Sequence, residues 1–174
     1  MFEREIQDFS TTERWETFQR RRRQSLGEHS HNVAIYADQI ATFFDWQGDR
    51  GALLRFAIWH HAVQILNIAD LPEHTKVRAD SELMPIIKVA DHLDAIFYLS
   101  LEVRDGGDPV FKRILTRVTA QLPNLIAALP FSDDTKLGFT RIVDSAIDNH
   151  QHNATPSGAG RMIAMYHRSP ISGR

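Results

Sequence analysis

The segment FAIWHHAVQILNIADLP, from Phe56 to Pro72, sets His60 and His61 side by side in an otherwise apolar run. Two other positions carry the same kind of anomaly. His29 stands one turn inside a helical pattern, and Asp91 stands within the apolar stretch IKVADHLDAIF. Each is a metal-ligand type on or beside a face that should be buried. Burying such groups without partners is costly. One divalent ion would satisfy all four at once, provided that three separate elements bring them to one point. Taken singly, a buried histidine is more often a hydrogen-bonded core residue, and Asp91 alone could sit on an exposed helix face. Only the set points to a metal.

The chain has nine histidines and no cysteine. The absence of cysteine excludes disulfides, thiolate nucleophiles and cysteine-type zinc sites. Histidine and carboxylate remain as the strong metal ligands.

The elements that must position these residues read as helices. Ser10 to Glu13 has the spacing of a capping box and is expected to open a short helical or turn segment containing Arg14 and Trp15. Ser25 to Glu28 is a second capping box. Beyond it His29, Val33, Tyr36, Ala37, Ile40, Phe43 and Phe44 recur at helical spacing, and that helix should end near Trp46 to Gly48. The next is expected from Asp49 to Leu66, with Leu53, Leu54, Ala57, Ile58 and Ile65 inward. Asn67 to about Asp80 reads as a loop. A further helix should run from Ser81 to Val103, with Pro85 near its start where proline is tolerated. The run Asp105 to Asp108 contains two glycines and is a break. Helices are then expected over Pro109 to Leu129, kinked or split at Pro123, and over Asp133 to His150. No segment alternates with period two, so the fold class is all-α.

The 174 residues suit one domain. Hydrophobic residues make up 43% and the net charge is −2, which is ordinary for a globular protein and gives no global field for nucleic acid. The start of the chain lacks a signal-peptide core, and no apolar run reaches the roughly 18 residues of a membrane span. A soluble, cytoplasmic protein without a membrane partner is expected. The run QRRRRQ reads as a solvated charged face rather than a nucleic-acid patch. His150 and His152, two apart at a helix end, do not share a face and are expected at the surface. TPSGAG lacks the lysine and hydroxyl residue of a phosphate loop.

Four stretches in one order carry a resemblance: Arg14-Trp15 followed by GEHSHNVA, WHHA at Trp59 to Ala62, DLPEHTK from Asp70 to Lys76, and VADHLDA from Val89. Together they resemble the HD-domain metal-dependent phosphohydrolases. Within these, the likeness is to the 5′-deoxynucleotidase branch and the compact phage dATP triphosphohydrolases. It covers residues 10 to 103. The resemblance implies an HD-type helical bundle, here of about six helices over residues 1–150; the tail over 151–174, polar and rich in Ser, Gly and Pro, is expected to be loosely ordered or to pack on a partner. It implies metal ligation by His29, His60 and Asp91, with His61 in the place of the family's aspartate. It places Arg14 on the substrate phosphate, Trp15 against the sugar where it favours deoxyribose, and Asp70 facing the sugar and scissile bond. Gln64 falls where a proton-transfer glutamate is usual, and Glu28 beside the first metal histidine. Lys76 and Arg22 are expected to hold further phosphates, and His74 to approach the substrate. The implied partners are a deoxynucleotide substrate and further copies of the chain in a homo-oligomer.

Two positions depart from that pattern. His61 replaces an aspartate, so the site loses one negative charge. If the imidazole ligates, three nitrogens and one oxygen suit a transition metal such as Zn, Co, Ni or Fe, with Mn also in range, better than Mg or Ca. Gln64 replaces a glutamate and cannot take a proton, which leaves two alternatives: Asp70, Asp94 or Glu28 substitutes for it, or metal-bound hydroxide attacks alone; Asp94 lies one turn beyond Asp91 on the same face. The expected reaction is hydrolysis of deoxynucleotide phosphates, mono- or triphosphate. The alternative is a catalytically weakened metal- or nucleotide-binding relative.

Overall fold

The computed structural model describes residue 7, residues 10–61 and residues 82–152. Among them five helices follow in order: α1 (Leu26–Phe43), α2 (Arg50–Trp59), α3 (Leu83–Arg104), α4 (Val110–Ala127) and α5 (Asp133–His152). The expected all-α class holds, and extended pairing among the described residues is limited to a single bridge between Glu13 and Ser25. No described helix is long and apolar enough to cross a membrane.

The first capping box does not form. The hydroxyls of Ser10 and Thr11 donate backwards to the Gln7 carbonyl, and the Glu13 carboxylate accepts from Arg20. Residues 12 to 26 instead make a loop closed at its neck, where Arg14 N–H donates to the Gln24 carbonyl at 2.8 Å and Leu26 N–H to Thr12 at 2.7 Å. The second capping box is complete. Ser25 Oγ accepts from Glu28 N–H while the Glu28 carboxylate accepts from Ser25 N–H. This fixes the first turn of α1, directly before His29.

α1 stops at Phe43, a few residues before the expected end, because Asp45 enters the left-handed region at φ 48°. Trp46 N–H reaches back to the Ala41 carbonyl and Asp45 N–H to Thr42, the paired bonds of a Schellman stop. Asp49 caps α2 through its side chain, which accepts from Ala52 N–H at 2.9 Å. Leu53 and Ala57 are buried as expected and Leu54 is half-buried, but Ile58 is exposed.

α3 is the axle and packs against all four other helices. Ile86, Val89, Ala90, Leu93, Ile96 and Leu99 are fully buried along it. Burial of side chains of this size contributes about 1.5–3 kcal/mol each. Its end is a second Schellman stop, with Gly107 N–H on the Glu102 carbonyl and Gly106 at φ 75° in the position that favours glycine. α4 runs unbroken through Pro123 rather than splitting there. α5 docks back on α3. His150 is buried, not at the surface, with Nε2 3.2 Å from the Phe97 carbonyl and its ring edge-on to Phe97. The side chain of His152 and the tail from 153 lie outside the described residues.

Candidate metal centre

Three helices deliver the four anomalous residues to one point. His29 projects from the second turn of α1 and is fully buried. Asp91 comes from the middle of α3. The histidine pair was expected inside a helix running to Leu66, but α2 ends at Trp59 and His60 is its C-cap. His60 keeps helical backbone angles, φ −60° and ψ −28°, at the rim of α2, and its ring and that of His61 stand with centroids 4.1 Å apart.

One ligand atom from each of His29, His60, His61 and Asp91 lies within 4.8 Å of every other. Asp91 Oδ1 stands 3.1 Å from His29 Nε2, 3.4 Å from His61 Nε2 and 4.0 Å from His60 Nε2. A tetrahedral zinc with bonds of about 2.0–2.1 Å would hold its ligand atoms about 3.3 Å apart. The observed separations bracket that value.

His61 Nε2 and Asp91 Oδ1 are hydrogen-bonded to each other, and two of the four ligand atoms stay open. His60 Nδ1 is 2.6 Å from the Ala57 carbonyl, an oxygen at the end of α2, and as a donor there it turns Nε2 inward as a lone pair. His60 Nε2 and His29 Nε2 are both buried without a hydrogen-bond partner. Native structures rarely leave buried polar atoms in that condition. Two orphaned imidazole nitrogens facing a carboxylate fit a cation, and the donor set of three nitrogens and one oxygen fits a transition metal.

The electrostatics agree. Burial pushes the Asp91 carboxyl up, but the imidazoles of His29, His60 and His61 crowded around it outweigh burial and hold it far below the usual carboxylate range. Burial pulls His61 below its ordinary value, against the pull of Asp91, and the neighbouring His60 and His29 lower it further. A carboxylate and a neutral imidazole are the ligating forms.

Beneath the cluster lies a second polar group. Asp94 is 3% exposed. Its oxygens meet His29 Nδ1 at 2.5 Å, Asn32 Nδ2 at 2.8 Å, Gln24 Nε2 at 3.0 Å and Arg14 Nη1 at 3.1 Å. Four donors use the roughly four lone-pair positions of a carboxylate. The expectation that Asp94 stands in as a proton-transfer group is therefore corrected: it faces the back of His29 and has no lone pair left for substrate. Glu28 is exposed, and one of its carboxylate oxygens caps α1 by accepting from Ser25 N–H.

Arg22 is also not at the site. It pairs with Asp105 at 2.7 Å, and its backbone N–H donates to Glu102. Asp105 lies about 20 Å along the axis of α3 from Asp91. Arg14 is near, but its Nη1 is turned inward to Gln24 and Asp94. Burial lowers its guanidinium, opposed by Asp94 and Asp91. Trp15 holds a left-handed backbone, φ 59°, and packs edge-on against Phe111 beside Phe18. Arg14 lies over its ring at 5.4 Å. Gln64, Asp70, His74 and Lys76 fall outside the described residues. Gln24 and Asn32 escaped the sequence reading. Asn32 is one turn beyond His29 on the same face, a spacing that could have drawn notice, whereas Gln24 reaches Asp94 only through the loop neck.

A scan against known protein families finds no match, and neither does a search of curated proteins. Among solved structures the chain is similar to an HD phosphohydrolase of cyanophage S-2L, DatZ, bound to dA and one catalytic zinc ion. The identity is 14%, with a TM-score of 0.68 over 84% of this chain and 96% of the phage protein. At that identity the likeness is one of fold: the chain has the all-α HD-type architecture.

Proposed function

We propose that this chain is a metal-dependent phosphohydrolase acting on deoxynucleotide phosphates, with His29, His60, His61 and Asp91 as the metal ligands. The observation that carries the proposal is the convergence of four ligand atoms within 4.8 Å, two of them buried nitrogens without partners. The shared fold with a phage HD phosphohydrolase that holds dA and zinc supports the substrate class. A bound transition metal would activate water near neutral pH and polarise a phosphoryl oxygen.

The chain's own residues then divide the work. Asp91 is the single anionic ligand, so the four ligands and a divalent ion together carry net positive charge. An anionic phosphate is attracted to such a centre more strongly than where two carboxylates ligate. Arg14 stands beside the cluster, but its charge is offset there by the ion pair with Asp94 at 3.1 Å. Trp15 offers an apolar face for the sugar, and Asp70, His74 and Lys76 complete the substrate contacts in this reading. A second reading, a nucleotide binder without turnover, is favoured by one observation: Asp94, the nearest of the acids expected to replace the missing glutamate, is committed elsewhere.

Release of phosphate, pyrophosphate and triphosphate from a panel of deoxy- and ribonucleoside mono- and triphosphates, with Zn, Co, Ni, Fe and Mn in turn, tests the proposal. Turnover of deoxynucleotides that disappears in Asp91→Ala is expected. Nucleotide binding without release under every metal would leave the binder.

A further inference from the structure

We propose that Asp94 is a positioning residue of this centre, fixing His29 in the tautomer that presents Nε2 to the metal, and that Arg14, Gln24 and Asn32 exist to hold Asp94 in place. The inference rests on the metal reading above.

It follows from where the protons can go. His29 Nδ1 has two neighbours, Asp94 Oδ2 at 2.5 Å and Arg14 Nη1 at 2.7 Å. It cannot donate to one and accept from the other. If it accepted from Arg14, the ring proton would sit on Nε2 and point at the cluster. Nε2, however, makes no hydrogen bond, although Asp91 Oδ1 is 3.1 Å away. Arg14 Nη1 carries two protons and has two oxygen acceptors for them, Gln24 Oε1 at 2.8 Å and Asp94 Oδ2 at 3.1 Å. None remains for the imidazole. Nδ1 therefore carries the proton and donates to Asp94, and Nε2 is the bare ligating nitrogen. A carboxylate behind a metal-binding histidine sets its ring and raises its basicity.

The surrounding contacts serve that one carboxylate. Gln24 is buried at the neck of the 12–26 loop and donates to Asp94 through Nε2. Asn32 donates from one turn along α1. Arg14 arrives from the same loop, whose bridge from Glu13 to Ser25 sets its height above α1. The RW element thus acts inward, on the metal side of the site, through Arg14.

Two measurements test this. The first is the zinc Kd by chelator competition, for the wild-type protein and Asp94→Ala. A weakening of about 10–100-fold is expected, with helical content unchanged. An affinity within twofold of wild type would overturn the positioning role. The second needs no variant: nitrogen-15 spectra of the histidine rings in the zinc-loaded wild-type protein, which still decide the matter if Asp94→Ala does not fold. A His29 ring protonated at Nδ1 and ligating through Nε2 is expected; coordination through Nδ1, or a proton on Nε2, overturns the proposal. A wild-type chain that takes up no zinc would instead sink the metal reading itself.

Discussion

At the scale of single residues, the chemistry turns on His61. It occupies an aspartate's place in the resemblance, and its Nε2 lies 3.4 Å from Asp91 Oδ1 with its ring 4.6 Å from that of His29. His61→Asp would exchange a nitrogen for an anionic oxygen. The harder, more negative site should then bind Mn more tightly relative to Zn than the wild-type protein does, read by competition titration. An unchanged ratio would show that His61 does not ligate. Trp15→Ala should narrow the preference for deoxyribose over ribose in the nucleotide panel; an unaltered preference refutes the sugar contact. The ligand types were legible in the sequence because histidine and aspartate are conspicuous among apolar neighbours. The part played by Asp94 was not. Its spacing from Asp91 announces a shared face, but only the fold shows that His29, Asn32 and a loop residue, Gln24, already surround it.

At the scale of elements, capping residues decide where the ligands stand. Ser25 and Glu28 were readable as the start of α1, and the pair does fix the turn before His29. Ser25→Ala should cost about 1 kcal/mol of stability, seen as a lowered Tm; no change would mean that the loop neck, not the cap, holds the helix. Gly106→Ala, at φ 75°, should destabilise by about 1 kcal/mol through strain at the end of α3. A neutral effect would show that the turn relaxes freely. The helix ends were less legible than the starts. The stop at Asp45 uses a left-handed aspartate without a glycine, and the apolar residues after His61 hide the end of α2 by continuing its pattern. The same blindness affected Ser10 to Glu13, where the capping spacing is present but Glu13 is taken by Arg20.

At the scale of the whole molecule, the all-α class followed from helical periodicity, while the arrangement around α3 depended on contacts distant in sequence. The centre joins α1, the end of α2 and α3, and two of its buried nitrogens, His29 Nε2 and His60 Nε2, have no hydrogen-bond partner. A ligand that binds only the folded chain stabilises it by about 4 kcal/mol at a thousandfold excess over Kd. Chelation should therefore lower Tm and zinc restore it, with the shift absent in His60→Ala. An equal Tm with and without metal would separate the cluster from the stability of the fold.

The central claim is that these four side chains form one metal site. Elemental analysis of the full chain, stripped with chelator, reconstituted with zinc and freed of excess, tests it most directly. One zinc per chain, lost in both His60→Ala and Asp91→Ala while helical content persists, is the predicted result. No retained metal in the wild-type protein, or undiminished retention in both variants, would contradict it.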